Sequence, residues 1–313
     1  MYIEKRKYYE GVRYWLSHSF REGRKIHKIR KLLGTDLSSK ILEERRKKAE
    51  QLILEEVSKY KIIKDPITNK ISEEEIRFIE RLQGESNLKV VHLSEVEWKK
   101  FSEIFSYNTN AIEGSELTKK ETEEVIRKGI WPVEKSKQDI AEALGVNEAI
   151  EYIRKTKEHI SIELILEIHK IVFKNSKEFA GELRKKGEEV VVKTGSGVIV
   201  HEGAPQNRVL ALIKELVEWY HKYKSNYPGI LLATVVHNQF ENIHPFADGN
   251  GRVGRILMNN ILIKNNLSPI SIDLKNQREY YAALQAYEKE WNIRPTIELI
   301  LKEYKNLKNI LGR

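Results

Sequence analysis

The sequence predicts a mainly α-helical protein with a small β unit at its N-terminus and one β-hairpin further along the chain. Three observations support this fold class. Most of the chain after Gly34 alternates apolar and charged residues at helical spacing. Residues 1–34 are instead rich in aromatic and basic residues around a glycine-containing turn, as strands are. Residues 189–201 carry β-branched residues on both sides of a turn with two glycines, which indicates a hairpin.

The N-terminal β unit holds most of the positive charge. Residues 1–34 contain ten Lys and Arg against three acidic residues, which gives +7 of the +9 carried by the whole chain. Strands are expected at 13–20 and 25–30, joined by a turn at 21–24. This basic β-meander could contact a polyanion such as nucleic acid. The alternative is a solubilising sheet face whose apolar side packs on the helices that follow.

Helices account for the rest of the chain. Asp36, Ser38 or Ser39 could cap a first helix that runs to about Lys59, and a second covers about 72–84. Further helices are expected at about 95–108, 118–128, 138–156, 161–174, 206–224, 229–243, 250–265, 276–289 and 296–310. The domains expected are a β unit over 1–34, a helical extension over 35–94 and a main domain over 95–313.

Composition excludes several classes of protein. The chain has no cysteine, so disulfides, thiolate metal sites and cysteine nucleophiles are absent. Its longest uncharged apolar run, residues 230–236, is far shorter than the roughly 20 residues of a transmembrane helix. The first residues also lack the apolar core of a signal peptide. We therefore expect a soluble, cytoplasmic protein with no membrane partner.

One segment, residues 243–255, combines the residue types of phosphoryl-group chemistry. A helix must end at His244, because the proline that follows disfavours helical geometry there. The glycine-rich loop and the start of the next helix offer backbone N–H groups to an anion. Asp248 offers a hard oxygen ligand for Mg²⁺, and His244 offers a base that titrates near neutrality. Arg252 and Arg255 lie on one helix face and are expected to point along the same anion.

A metal-hydrolase interpretation rests on the same helix. His237, Glu241 and His244 recur at i, i+4 and i+7, a spacing that could bind zinc with an open position. Against this, the helix ends at His244 and no ligand from outside it is evident. His237 would then be a helix-packing histidine.

The motif is also recognisable. The segment His244-Pro245-Phe246-Ala247-Asp248-Gly249-Asn250-Gly251-Arg252-Val253-Gly254-Arg255 matches the Fic signature H-P-F-x-[DE]-G-N-G-R-x-x-R at every position. Residues 181–184, the hairpin and residues 237–243 look similar too, so about 95–295 resemble a Fic domain. The resemblance implies a Fic-fold helical bundle with the hairpin as its flap. Most of the family are nucleotidyltransferases that move AMP from ATP to a protein hydroxyl, whereas the Doc-type branch phosphorylates.

The resemblance also implies residue roles. His244 would deprotonate the target hydroxyl, and Asp248 would hold the Mg²⁺ that bridges the α- and β-phosphates. The other nucleotide contacts would be Phe246 packed beneath the loop, Gly249, Asn250 and Gly251 at the phosphates, Arg252 near the β-phosphate, Arg255 at the γ-phosphate, and Tyr281 or Tyr280 near the base. The flap residues that would pair with an extended target segment are Val191, Val198, Ile199 and Val200.

A second segment, from Thr109 through Glu113 to Gly114, resembles the inhibitory motif [ST]-x-x-x-E-[GN] of the family. By this resemblance Glu113 would meet Arg255 and remove a γ-phosphate ligand, so ATP would bind poorly or out of line. The motif precedes the core in the same chain, which indicates intramolecular autoinhibition.

Other activities and partners stay open at this point. In some relatives with this motif the glutamate positions a water that removes AMP, so Glu113 could support removal, or both activities. A homodimer is a further option, since dimers are common among such relatives. The expected partner is a target protein with a Ser, Thr or Tyr hydroxyl. A non-enzymatic alternative makes residues 1–34 a nucleic-acid-binding region.

Overall fold

The computed structural model describes residues 1–9, 11–22, 25–60, 71–85, 89–90, 93–185, 187–188, 190–193 and 199–311. These residues contain eleven α-helices, one three-stranded sheet and one two-stranded hairpin. The mainly α-helical class expected from the sequence is therefore confirmed. The chain divides into two compact units, Met1–Ile62 and Ile63–Arg313.

The first unit is an antiparallel sheet with one helix packed on it. Its strands are β1 (Tyr2–Tyr8), β2 (Gly11–Glu22) and β3 (Lys25–Thr35), in that order, and its helix is α1 (Ser39–Tyr60). The core between them consists of Leu16, Ile29 and Leu33 from the sheet with Ala49, Ile53 and Val57 from the helix. This core places α1 in the same unit as the strands, so the expected boundary at residue 34 runs through the unit.

Asp36 does not act as the cap of α1. Its backbone lies in the left-handed region at φ 48°. Its carboxylate accepts a hydrogen bond from the Val12 N–H at 2.8 Å, which ties the end of β3 back to β2. The helix begins at Ser39, and the Ser38 carbonyl accepts its first bond from Leu42.

The second unit is helical, with one hairpin. Its first helices are α2 (Glu73–Glu85), α3 (Glu95–Ile112), α4 (Lys119–Lys128), α5 (Lys137–Lys155) and α6 (Ile162–Phe173). The hairpin of β4 (Val191–Lys193) and β5 (Ile199–Glu202) follows, and then α7 (Val209–Tyr223), α8 (Gly229–Ile243), α9 (Asn250–Lys264), α10 (Gln277–Glu290) and α11 (Arg294–Leu311). Reciprocal capping boxes at Ser94 and Thr118 fix the starts of α3 and α4.

Helices α8 and α9 lie at the centre of this unit. The side chains of α8 are buried from Gly229 to Ile243 except at Asn242, and nearly all of α9 is buried as well. α8 ends where the proline requires it to, because His244 adopts the left-handed conformation at φ 51°. The loop between α8 and α9 is therefore held in the core by two buried helices. None of the helices in the described ranges combines the length and the apolar composition that crossing a bilayer requires.

Candidate active site

His244 is held in a defined orientation at the end of α8. Its Nδ1 lies 3.1 Å from the Glu241 carbonyl oxygen, which can only accept a hydrogen bond. Nδ1 therefore carries the proton in the neutral ring, and Nε2 is the basic nitrogen. Because His244 lines the cavity of the site, this tautomer presents a base there.

Arg184 braces the backbone around His244. Its guanidinium is buried and donates to the carbonyls of His244 at 2.9 Å and Glu188 at 3.0 Å, and also to that of Ala204. Its own N–H donates to the Pro245 carbonyl at 3.0 Å. One side chain thus joins the catalytic loop to both ends of the hairpin region. The sequence showed only that residues 181–184 look like the family, not this role.

The loop is filled from inside by Phe246, which is fully buried. Its ring stacks on His169 of α6, with centroids 3.8 Å apart and planes 10° apart. The side chain of Asn250 closes the loop by accepting from the Phe246 N–H at 2.8 Å and donating to its carbonyl at 2.9 Å. The structure thus uses the Asn250 amide to shape the loop.

Sequence reasoning missed His169. Its Nδ1 accepts from the Gly181 N–H at 2.8 Å, so its Nε2 carries the proton and donates to the Asp248 carbonyl at 3.2 Å. Burial lowers the pKa of His169 to about 4, so the ring stays neutral and keeps both bonds. The available signal was a lone histidine on the apolar face of α6.

The start of α9 forms the anion-binding part of the site. Gly249 has φ 84°, and a Cβ built there would lie 2.2 Å from the Phe173 ring, so only glycine fits. The backbone N–H groups in the first turn of α9 have no helical carbonyl to bond to, and residues 249–251 line the cavity. This agrees with the glycine cradle expected from the sequence.

Glu113 lies against this anion-binding turn. It caps the end of α3, and its Oε1 is 2.7 Å from Nη2 of Arg255, as the resemblance implied. A Cβ on Gly251 would lie 2.2 Å from the same Oε1. The Glu113 carboxylate therefore sits on the helix N-terminus, where a phosphate would bind.

Arg255 is almost fully buried and has several partners. Its Nε donates to Thr109 Oγ1 at 2.7 Å, and its Nη2 donates to the Thr109 carbonyl at 3.0 Å as well as to Glu113. Its Nη1 donates to the Tyr280 hydroxyl at 3.2 Å. Thr109 and Glu113 of the second segment therefore both meet this guanidinium, and the turn after them uses Gly114 at φ 92°.

Arg252 does not point along the same anion as Arg255, contrary to expectation. It pairs with the buried Glu142 of α5, lies 3.3 Å from Asp248 Oδ1 and covers the Phe173 ring at 4.6 Å. The two arginines are three residues apart, but each pairs with a different acid, Arg252 with the buried Glu142 of α5 and Arg255 with Glu113 at the end of α3. Arg252 consequently does not line the cavity.

Asp248, the expected metal ligand, forms ion pairs with two cationic side chains. Lys177 Nζ lies 2.9 Å from Oδ2, and Arg252 contacts Oδ1. Burial opposes ionisation, but the hydrogen bond from Lys177 and the charges of both cations lower the pKa of Asp248 below its usual value. The carboxylate is therefore ionised at neutral pH and available to a harder cation.

These groups surround a cavity of about 490 Å³. Its wall includes Glu113, His244, Asp248, Arg255 and the residues 249–251. Residues of α10, among them Tyr281, Leu284, Gln285 and Glu288, also line it. Tyr281 thus lines the cavity, and its hydroxyl donates to the Ile112 carbonyl at 3.2 Å. The volume is in the range of small-molecule sites.

Glu241 is a buried carboxyl in the wall of the cavity. Burial raises its pKa to about 8, with Glu113 adding to the shift and Arg255 opposing it. The group is therefore mostly protonated at pH 7 and adds no negative charge to the cavity.

We expect affinity for a non-hydrolysable ATP analogue to fall about tenfold as the pH rises from 7 to 9. Glu241 gains its charge across this interval and then repels the triphosphate. Glu241→Gln should flatten the profile, whereas Glu116→Gln on the exposed turn should leave it unchanged. Calorimetric titration at several pH values measures this, and an unaltered profile in Glu241→Gln would assign the effect elsewhere.

The hairpin lies beside the site. The expected flap residues Val191, Ile199 and Val200 belong to β4 and β5, which pair in antiparallel register. Val198 lies outside the described residues. Val190, just before β4, lines the cavity.

The zinc interpretation fails on geometry. His237 is fully buried, with Nε2 3.0 Å from the Tyr280 hydroxyl, and His244 Nδ1 is occupied by the Glu241 carbonyl. No group of three His, Asp or Glu side chains within the described ranges is arranged to hold a metal ion. His237 is a packing histidine.

Comparison with known proteins shows which family this part of the chain is similar to. A Fic/DOC family model matches residues 159–262, a narrower span than the 95–295 expected. The chain is 30% identical over 206 residues to protein adenylyltransferase fic-1 of Caenorhabditis elegans. The aligned residues cover 64% of this chain and 39% of the relative. It is 30% identical over 204 residues to protein adenylyltransferase Fic of Nematostella vectensis, covering 63% and 45%.

A solved structure shares the fold. It is a Fic domain containing signaling protein from Bacteroides thetaiotaomicron, with a TM-score of 0.61, 25% identity, and coverage of 75% of this chain and 92% of that one. The chain spans less than half the length of the two curated relatives it matches. Together with the intact signature, these similarities show that residues 159–262 of this chain carry a Fic domain.

Proposed function

We propose that this chain transfers AMP from ATP to a hydroxyl group of a target protein and that Glu113 holds the activity low. One observation carries the proposal. A single cavity brings together the base His244, the N-terminal turn of α9 and the Arg255 guanidinium, with Glu113 placed between the last two. The curated relatives named above are protein adenylyltransferases, which supports the same reaction.

The geometry supports an in-line displacement at the α-phosphorus. The target hydroxyl attacks while His244 Nε2 takes its proton, and the new O–P bond forms as the bond to the β-phosphate oxygen breaks. Pyrophosphate leaves, and the product is an AMP ester on the target. The N–H groups at the start of α9 stabilise the charge on the phosphates.

Asp248 fits the role of metal ligand. Its carboxylate is ionised and adjoins the anion-binding turn, and an oxygen donor of this kind suits Mg²⁺. Mg²⁺ bound there would neutralise phosphate charge. The cation already at this position is Lys177, so metal binding requires the ammonium to leave Oδ2.

We expect Lys177→Met to tighten metal binding in the presence of a non-hydrolysable ATP analogue, by about tenfold. The substitution removes the charge that competes for Asp248. Lys174→Met is the matched control, because Lys174 pairs with Glu148 away from the site. Mn²⁺ binding followed by electron paramagnetic resonance gives the affinity without any turnover. Weaker Mn²⁺ binding in Lys177→Met would instead assign Lys177 to the phosphates.

The position of Glu113 supports the proposed autoinhibition. Its carboxylate pairs with Arg255 and lies against the N-terminus of α9. A triphosphate would have to bind to both of these groups. The same carboxylate lines the cavity with His244, so a second candidate activity is AMP removal, in which Glu113 orients the attacking water. The two activities respond oppositely to loss of Glu113, since transfer would rise and removal would fall.

Intact mass measurement tests the proposed function. The protein is incubated with Mg²⁺ and each of ATP, CTP, GTP and UTP, alone and with a mixture of candidate proteins. Addition of one AMP unit, with ATP preferred, is the expected result. AMP transfer would be contradicted if the protein binds the nucleotide but no AMP is added to the protein itself or to any protein in the mixture.

A further inference from the structure

The sheet of the first unit has one face on α1 and one turned away from it. Side chains alternate between the faces along each strand, and the register aligns Arg6 with Arg13, and Ser17 with both Tyr2 and Arg30. The face away from α1 is called here the basic sheet face. Its cations are Arg6, Arg13, Arg21, Lys28 and Arg30. Its aromatic residues are Tyr2, Tyr8 and Trp15.

Contacts between side chains confirm that these groups share the face. Lys28 lies 5.4 Å from the centre of the Tyr2 ring and Arg13 4.9 Å from that of Tyr8. Tyr8 and Trp15 are themselves adjacent, with ring centres 6.1 Å apart. Cations and rings therefore alternate across one surface.

The charge of the face is strongly unbalanced. Among the described residues of this face the single acid is Glu4, which contacts Lys28, Arg30 at 3.1 Å and Arg6 at 3.8 Å. The cations remain open to solvent, since the side chain of Arg6 is 52% exposed and that of Arg30 is 41% exposed. Because one carboxylate cannot neutralise three cations, the surface keeps a net positive charge that attracts anions.

We propose that the basic sheet face binds single-stranded nucleic acid, with its cations on the phosphates and its aromatic rings under the bases. Positive grooves interleaved with aromatic platforms are the general means of binding single strands without sequence preference. A duplex is a poorer ligand for this face, because its grooves admit a helix or a narrow ribbon rather than a broad sheet. An unstructured polyanion would use the cations and leave the rings without a role.

The size of the face agrees with such a ligand. From Arg13 to Arg21 the strand rises about 27 Å at roughly 3.4 Å per residue. Single-strand sites on small β domains accommodate about 4–16 nucleotides, and the face fits the lower end of that range. When the strand binds, a base stacks on each ring in place of the cation that lies over it. The displaced cation then pairs with the neighbouring phosphate. The proposed activity uses none of the residues that line the cavity.

The test uses the full chain and a fluorescein-labelled 15-mer of deoxythymidine, with anisotropy measured at several salt concentrations. We expect the logarithm of the association constant to fall linearly with the logarithm of the salt concentration. The slope should be about 0.7 for each phosphate that the protein contacts. Arg6→Gln should weaken binding several-fold and reduce this slope. Lys7→Gln is the matched control, because it makes the same change of charge at the next residue, whose side chain lies on the other face. It should have little effect on the affinity. Glu4→Gln should tighten binding, an outcome that loss of folding cannot mimic.

The aromatic residues separate the proposed ligand from other anions. Tyr2→Ala combined with Tyr8→Ala leaves the charge unchanged and should weaken the oligonucleotide several-fold while leaving heparin binding unaltered. Three results would overturn the proposal. They are no binding at 50 mM salt, equal effects of Arg6→Gln and Lys7→Gln, and preference for heparin or for phosphatidylserine vesicles with no response to the tyrosine changes.

Discussion

Replacing Glu113 by glycine is expected to raise the rate of AMP transfer by about ten- to a hundredfold. The substitution removes the acid that pairs with Arg255 at 2.7 Å and vacates the position over Gly251. A charge-assisted hydrogen bond contributes about 1.5–3 kcal/mol, and 1.4 kcal/mol corresponds to a factor of ten. The guanidinium, which is otherwise bonded to neutral groups of Thr109 and Tyr280, then becomes available to the γ-phosphate.

Two further variants separate charge from bulk. Glu113→Gln keeps the side chain over the α9 turn but removes its charge, so it should give a smaller gain than glycine. Glu116→Gln alters an exposed acid three residues away and serves as the control. The rate is followed by intact mass, and ATP affinity by calorimetry. Unchanged transfer and unchanged ATP affinity in Glu113→Gly would contradict the inhibitory role.

Replacing His244 is expected to abolish transfer while nucleotide binding persists. Loss of a positioned general base costs about 10²–10⁴ in rate. Nucleotide binding depends instead on the α9 N-terminus and Arg255, which the change leaves in place. Asparagine is the better substitution here, because His244 has φ 51° and asparagine tolerates this left-handed conformation more readily than alanine.

The experiment is most sensitive in the Glu113→Gly background, where the starting rate is high. Glu113→Gly with His244→Asn should bind the ATP analogue as tightly as Glu113→Gly alone and should add no AMP. His159→Asn provides a control for histidine replacement outside the cavity. Full transfer by the double variant would refute the assignment of His244 as base.

The local features of this chain could be predicted from sequence because they depend on neighbours. The end of α8 at His244 follows from the proline after it, and the glycine at 249 follows from the turn that begins α9. The contact of Glu113 with Arg255 was foreseen only through resemblance. These residues are 142 positions apart, and nothing in their local sequence joins them.

What the sequence missed depends on packing between distant helices. Arg252 turns toward Glu142, which lies 110 residues earlier, so helical spacing alone misplaced it. His169 and Lys177 reach the loop from α6 and the turn after it. Their roles come from tertiary contacts that neither a motif nor a periodicity encodes.

The ion pairs of the site have a consequence for which ligands can enter it. Arg255 and Asp248 each already hold an internal counterion, in Glu113 and Lys177 respectively. Under the proposed function, a nucleotide would have to replace these internal ion pairs rather than bind to free charges. We expect adenosine and AMP to displace Glu113 less readily than a triphosphate does, because a triphosphate brings more negative charge to Arg255. Under the proposed function, the resting protein would therefore discriminate nucleotides by charge before it discriminates them by base.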